Sequence, residues 1–393
     1  MAQAVATPVA SSKRDWRDDF FEFDDAAYLN LAGQAPIPRV SAKALEKAAA
    51  WKKLPHQIDD TVFFALPQHV RELLAQMLDA APEEFALTSG ASSGMQAVAQ
   101  GIAWKPEDEV LITRGEFPSH ASTWFPLAQA GRLSVRVIEP AGRFLTTEDV
   151  VRAVGPRTRL VSISHVRFDD GARIDARAAA DAVHKVGGYL LLDASQSAGS
   201  VPMRIRETGA DFLVCSGYKW ILSTYGTGFF WIKRELIEQL QRQPFYWAAH
   251  EAARDFNALT RAGADHRPLA SHAARWDAAE TASFFNLSVM EASLEYVLRA
   301  GVETVWKHNA ELIELLFERL PLDRCVIASP RAQELRGPYG CFMGRSAEKT
   351  QEMYQSLRDA KIFASMRGNA IRVAPYLYNN ERDIERVIAT VSQ

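Results

Sequence analysis

The sequence predicts an α/β protein in two parts. The first is a large domain whose mostly parallel sheet is covered by helices on both faces, and the second is a smaller C-terminal α+β domain. Three observations predict this. Short apolar runs of strand character alternate with helical stretches from about residue 60 to 235. Repeated strand, helix, strand is the pattern of a parallel sheet sheltered by its crossover helices. The alternation stops at residues 241–275, after which long helices are followed by a short mixed region.

Taken in order, the strand candidates are EFALTSG (84–90), EVLITRG (109–115), SVRVIEP (134–140), RLVSISHV (159–166), GYLLLDA (188–194), ADFLVCSG (210–217) and TGFFWIK (227–233). Between them, RAAADAVHKVG (177–187) repeats its apolar residues at helical spacing. Residues 241–275, rich in His, Ala and aromatics, have no strand character. They read as an irregular excursion near the active site or at a subunit contact. Two strong helices follow, NLSVMEASLEYVLRAG and VETVWKHNAELIELLFERL, and the chain closes with the helix ERDIERVIATVSQ. The expected division is a flexible arm over 1–17, a large domain over 18–275 and a small domain over 276–393. The first residues of the large domain are expected to pack on the small one.

The chain has 393 residues, 48% hydrophobic and 24% charged, which is ordinary for a globular protein and long enough for two domains. A net charge of -3 gives no reason to expect a nucleic-acid or anionic-membrane partner. The three cysteines, Cys215, Cys325 and Cys341, form no C-x-x-C pair, which fits a reducing cytoplasm. No apolar stretch approaches the roughly 20 residues of a membrane span. The opening residues have no sustained apolar region and read as a loose arm.

Two apolar runs end in groups that carry chemistry. Tyr189 to Leu192 ends in Asp193, with Gln196 shortly after; Phe212 to Cys215 ends in Ser216, Gly217, Tyr218 and Lys219. Carboxylates and ammonium groups at the ends of buried strands suit a cofactor site at the carboxyl edge of an α/β sheet. A lysine there can form a Schiff base with an aldehyde cofactor, and an aspartate can keep a pyridine nitrogen protonated. The same residues serve equally as helix caps of two plain βα units, and spacing leaves both readings open.

LTSGASSGMQAVAQGI (87–102) is a strand, a Gly- and Ser-rich turn and a helix start. Backbone N–H groups and hydroxyls there suit a phosphate, although a plain capped βα turn has the same look. It is neither a Walker A loop nor a G-x-G-x-x-G fingerprint. ITRGEFPSHASTWFPLA (112–128) gathers Phe117, His120, Trp124 and Phe125 after a strand. Such rings either stack on a flat cofactor or form core. NAIRVAPYLYNN (369–380) sets Arg372 between Ile371 and Val373. An arginine in an apolar strand either grips a substrate carboxylate or pairs internally with an acid. Arg367 raises the same question.

Together and in this order, these segments resemble the class V aminotransferase family of fold-type I, aspartate-aminotransferase-like pyridoxal phosphate (PLP) enzymes. That family includes cysteine desulfurases, kynureninase and isopenicillin-N-epimerase-like proteins. The likeness runs from YLNLAGQAPIPRV (28–40) through the Arg372 strand and is most specific between SHVRFDDGARID and SGYKWILSTYGTGFFWI. It implies PLP as cofactor, with Lys219 as the Schiff-base lysine and general base, and Asp193 against the pyridine nitrogen. Gln196 would lie near the phenolic oxygen, and Phe117 would stack on the ring. Ala91, Ser92, Ser216 and Tyr218 would hold the phosphate. Thr281 would reach that phosphate from a neighbouring subunit, which implies a homodimer. Arg372 would bind the substrate carboxylate, with the loop at Asn30, Leu31 and Ala32 near the substrate.

The departures are informative. RDAKIFASMRGNAIR lacks the nucleophilic cysteine that desulfurases carry before the arginine strand. Phe168 stands where desulfurases have Asn, while His120 and Gln196 stand where kynureninases have Asp and His. The expectation is therefore a cytoplasmic aminotransferase acting on an amino acid. The alternatives are a β-lyase of the C–S or kynureninase-like kind, an epimerase, or a non-catalytic α/β binding protein that kept only the fold.

Overall fold

The computed structural model describes residues 15–59, 61–241, 246–255, 257, 268–280 and 283–393. Most of the arm expected over 1–17, part of the 241–275 excursion and Thr281 lie outside the described residues.

The first strand, β1 (Ala27–Tyr28), belongs to a small pairing described below. The next seven coincide with the seven strand candidates: β2 (Phe85–Thr88), β3 (Glu109–Thr113), β4 (Ser134–Ile138), β5 (Thr158–Ser164), β6 (Tyr189–Asp193), β7 (Phe212–Ser216) and β8 (Gly228–Ile232). They form one sheet in the order β2-β8-β7-β6-β5-β3-β4. Pairings from β7 through β6, β5 and β3 to β4 are parallel, whereas β8 runs antiparallel to both β7 and β2. The exception has a physical cause. A parallel return needs a crossover of a dozen or more residues, usually helical, and the 217–227 connection holds no helix.

Helices cover both faces. They are α1 (Arg39–Lys53), α2 (Leu66–Leu78), α3 (Ala91–Gly101), α4 (Pro118–Gln129), α5 (Thr147–Ala153) and α6 (Ala176–His184), followed by α7 (Phe284–Ala300). The period-two rule sorts β6 residue by residue. Leu190 and Leu192 join a core with Val70 and Leu74 of α2, Ala179 and Val183 of α6, and Met290 of α7. Leu191 faces the other way, into a core with Met95 and Val98 of α3 and Trp124 of α4. Each such fully buried leucine contributes roughly 1.5–3 kcal/mol. At the sheet's edge β4 is only partly buried, and its Arg136 makes a forked pair with Glu109 at 3.0 and 2.9 Å.

The C-terminal part holds β9 (Cys325–Ile327), β10 (Gly340–Gly344), β11 (Ile362–Phe363), β12 (Ser365–Arg367) and β13 (Ala370–Val373). An antiparallel sheet runs β12-β13-β10-β9, and β11 pairs in parallel with β1. Phe342, Ile371 and Val373 face α8 (Val302–Arg319), α9 (Ala347–Asp359) and α10 (Glu381–Val391), in a core with Leu316, Leu357 and Ile384. Cys341 and Ala370 lie in a second cluster with Leu31, Trp220 and Leu222. Near the N-terminus, β1 bonds to β11, and Arg17 pairs with Asp383 at 2.9 Å.

The described parts of the 241–275 excursion form short helical turns, with a bridge between His250 and Leu269. Just beyond, Asp277 Oδ1 accepts the Leu87 N–H at 2.8 Å and also pairs with Arg71, so this segment covers the outer edge of β2. No helix among the described residues is long and apolar enough to cross a membrane.

Candidate active site

β6 and β7 are parallel neighbours, with Asp193 beside Val214 in register, so Asp193 and the Ser216–Lys219 turn leave the same edge of the sheet. A chain of bonds ties that edge together. The Ser195 N–H donates to Asp193 Oδ1 at 2.8 Å, and the Ser216 N–H donates to Ser195 Oγ at 3.0 Å. Ser216 Oγ in turn accepts the Ala91 N–H at 3.1 Å, at the first residue of α3. Two serines thus connect the aspartate to the helix start.

That start is shaped by close packing. Gly90 has φ +152°, and a Cβ on Gly228 would lie 2.7 Å from its Cα and 2.4 Å from the Cys215 carbonyl oxygen. Only glycine at 228 lets the turn approach β8 this closely. Ser92 Oγ lies 2.7 Å from Ser119 Oγ on α4, which links the two helix starts. In the first turn of α3 the Ala91 N–H is taken by Ser216 and the Ser93 N–H donates to the Gly90 carbonyl at 3.2 Å; the positive end of the helix and the hydroxyls beside it suit an anion.

Lys219 is buried, with its Nζ 5.1 Å from the Phe117 ring centroid and 5.5 Å from that of Tyr218. Tyr218 stacks on Tyr225 at 4.0 Å. Phe117 sits just before α4 and meets Phe168 edge-on at 5.3 Å. Burial, with repulsion from Arg372 and Arg367, holds the Lys219 amine below the usual lysine range even though Asp193 opposes the shift.

Asp193 has a second partner that sequence reasoning left without a role. His120, wholly buried, places Nε2 3.8 Å from Asp193 Oδ2, and its Nδ1 lies 2.9 Å from Ser162 Oγ. The Trp124 indole N–H donates to the same hydroxyl at 2.9 Å. Burial pulls the imidazole toward neutrality, but the Glu116 and Asp193 carboxylates outweigh it and raise its pKa above the ordinary histidine value. Burial likewise disfavours the Asp193 charge, yet His120 and Lys219 hold that carboxyl below the usual aspartate range.

Across from this edge stands Arg372 on β13, wholly buried and opposite Cys341 and Ser365 in register. Its Nη1 donates to the Phe168 carbonyl at 2.6 Å, while Nε and Nη2 are buried with no hydrogen-bond partner among the described residues. No carboxylate among the described residues makes an ion pair with it. Of the two readings open from sequence, the internal ion pair is not made. The side chain instead presents two unsatisfied donors, a costly arrangement unless a ligand meets them.

The loop around Asn30 joins both halves. The Leu31 N–H donates to the Ala374 carbonyl at 3.2 Å, and the Ala374 N–H to that of Leu29 at 2.8 Å, which sets Asn30 beside the Arg372 strand. Ala35 N–H donates to the Tyr218 carbonyl at 3.0 Å. Gln196 donates through Nε2 to the Ala32 carbonyl at 3.0 Å and accepts the Trp220 indole N–H at 2.9 Å. Asn30 Oδ1 is buried without a partner.

The fold therefore brings Lys219, Asp193, Gln196, Ser216, Tyr218, Ala91, Ser92, Phe117, Arg372 and Asn30 together at one edge of the large sheet, and Thr281 lies outside the described residues. It also brings Cys341, well upstream in sequence, directly opposite Arg372. That thiol is wholly buried, donates to the Asp169 carbonyl at 3.4 Å, and is pushed up to about 12 by burial. All three cysteines are buried.

The sequence profile described as aminotransferase class-V matches residues 27–387. An uncharacterized aminotransferase of Bacillus subtilis is 25% identical over 352 residues, covering 88% of this chain and 86% of its own. A probable cysteine desulfurase of Methanothermobacter thermautotrophicus is 28% identical over 310 residues, 77% of this chain and 74% of that one. Isopenicillin N epimerase of Streptomyces clavuligerus is 23% identical over 376 residues, 91% and 92% of the two chains. Among solved structures, a lysine mutant of C-DES with glycine covalently linked to its PLP cofactor superposes with TM-score 0.85 at 20% identity, over 96% of this chain and 99% of that one. The apo cysteine desulfurase from Thermococcus onnurineus superposes with TM-score 0.83 at 19% identity, over 97% and 98%. These two likenesses establish the fold as that of the fold-type I PLP enzymes.

Proposed function

The chain belongs to the class V aminotransferase family and is a PLP-dependent enzyme; from that premise we propose that it is an aminotransferase acting on an amino acid through Lys219. The residues present fit PLP. A buried amine lies beside two aromatic rings, an ionised carboxylate is held by His120, and a helix start is lined by Ser92 and Ser216.

In this reading Ala91, Ser92, Ser216 and Tyr218 hold the phosphate at the start of α3, where the helix dipole favours an anion. Asp193 keeps the pyridine nitrogen protonated, and Phe117 supports the ring face. Gln196 uses one N–H on Ala32 and carries a second for the phenolic oxygen. When bound, PLP supplies the electron sink for charge left at the substrate Cα. Arg372 offers Nε and Nη2 to the substrate carboxylate as a bidentate fork, fixing which Cα bond lies ready to break. Asn30 lines the same place. Lys219, with its lowered pKa, takes the Cα proton and returns it. We further place Thr281 at the phosphate of a neighbouring subunit, in a homodimer.

The observation that carries transamination over persulfide-forming chemistry is the burial of every thiol, above all Cys341 beside Arg372. The test uses the PLP-bound protein and a panel of amino acids. Without an acceptor, an aminotransferase releases one 2-oxo acid per site and stops, and a second 2-oxo acid restarts turnover. Continuous release of pyruvate, alanine or sulfide without an acceptor would make the protein a β-lyase instead, and racemised substrate would make it an epimerase.

A further inference from the structure

A second arginine shares the face that carries Arg372. In the β12–β13 pairing Ser365 stands opposite Arg372 and Arg367 opposite Ala370. Directly opposed residues, and residues two apart on a strand, project to the same side. Ser365, Arg367, Ala370 and Arg372 therefore form one patch on the side where Ala370 packs toward Leu31 and Trp220. Arg367 and Arg372 are diagonal neighbours, roughly 7–8 Å apart at the backbone, with long side chains.

Their hydrogen bonding separates Arg367 from a structural arginine. Arg167, nearby, has its donors on Thr113, Gly115 and Asp169. Half-buried Arg367 makes one hydrogen bond, from Nη1 to the adjacent Met366 carbonyl at 2.8 Å, and no ion pair with any described residue. Ser365 Oγ, buried on the same face, has no hydrogen-bond partner among the described residues. Two guanidinium groups and a hydroxyl thus offer donors from one face of the sheet, an arrangement suited to a ligand with two anionic ends. The charge of Arg367 is felt by Lys219, Tyr218 and Arg372, in keeping with the face it shares with Arg372.

We infer that Arg367 is a second anion-binding residue of this site, and that the preferred substrates are amino acids with an acidic side chain, a carboxylate or a sulfinate. Arg372 takes the carboxylate at Cα and Arg367, helped by Ser365, takes the distal acid. This rests on the reading of the protein as an enzyme of amino acids. It adds a selectivity that the first arginine cannot supply, because every amino acid offers the same Cα carboxylate.

The test is binding to the PLP-loaded protein, read from the change in cofactor absorbance and repeated by calorimetry. Aspartate, glutamate and cysteine sulfinate are compared with alanine and norvaline. The acidic group should bind more tightly, and Arg367→Ala should cut that preference by about 30-fold, the low end for removing one partner of a charged pair. Arg367→Glu, which keeps a long polar side chain, should turn the preference toward ornithine and lysine. Arg372→Ala should weaken acidic and neutral amino acids alike and leave their ratio in place. Equal binding of alanine and aspartate, or an unmoved ratio in both Arg367 variants, overturns the assignment while leaving the amino-acid reading intact. Failure of every amino acid to perturb the cofactor overturns both.

Discussion

His120 Nε2 and Asp193 Oδ2 stand 3.8 Å apart inside the protein, with the imidazole wholly buried. Each holds the other charged against burial, with Glu116 adding to the imidazolium side. Because folded His120 titrates above its ordinary value, its stabilising contribution is full below about pH 6.5 and is lost as pH rises through the raised folded value. Asp193 has the opposite sign: its contribution is present above the ordinary aspartate range and is lost as pH falls. His120→Gln should flatten the alkaline fall in melting temperature and weaken PLP retention at neutral pH. A melting profile of the variant that still tracks the wild type above about pH 6.5 would reject the pair.

Lys219→Ala removes the buried amine that carries the proposed proton transfer. Turnover should fall by at least about 10³-fold, and PLP should dissociate on gel filtration where the native protein retains it. A variant that still turns over within tenfold of the native rate, by order of magnitude, places the base elsewhere.

Arg372→Ala deletes the two unsatisfied donors and leaves the Phe168 carbonyl without its partner. The expected loss is about 30- to 1,000-fold in kcat/KM, carried mainly by KM. Arg372→Lys keeps the charge but not the fork and should recover only part of it. Steady-state kinetics with each active amino acid decide; an unmoved KM throughout would remove Arg372 from the substrate.

Cys341 lies opposite Arg372 in the strand pairing and is proposed to have no part in the chemistry. With the thiol wholly buried and raised to about 12, it should resist alkylation in the folded protein, and Cys341→Ala should keep turnover. Rapid labelling together with abolished activity would revive a thiol-dependent mechanism.

Gly228→Ala would drive a methyl group into the Cys215 carbonyl and the Gly90 Cα. It should destabilise the fold by about 1–3 kcal/mol and loosen the turn before α3 that is proposed to hold the phosphate. Thermal melts and PLP titrations read the two effects, and a variant that melts and binds like the native protein would mean the turn tolerates more room.

All seven strands of the large sheet were legible because their signal is local. An apolar run such as Tyr189 to Leu192 needs only its own residues to announce burial, and the helical spacing of α6 does likewise. Lys219 and Asp193 were legible for the same reason, standing where such runs stop. The direction of β8 was not, because it depends on a connection with no helix to carry the chain back.

The sequence by itself determined the alternation of strands and helices, the strand-end lysine and aspartate, and the arginine within an apolar strand. The tertiary structure decided which polar groups are left unpaired. His120 meets Asp193 only because the sheet order sets β3 and β6 on either side of β5. Arg372 keeps two donors unpaired because no carboxylate among the described residues pairs with it, and the strand pairing that brings Cys341 near also leaves it buried. Periodicity is a property of neighbours along the chain. Hydrogen-bond satisfaction is a property of neighbours in space, and chemistry at this site follows from the second.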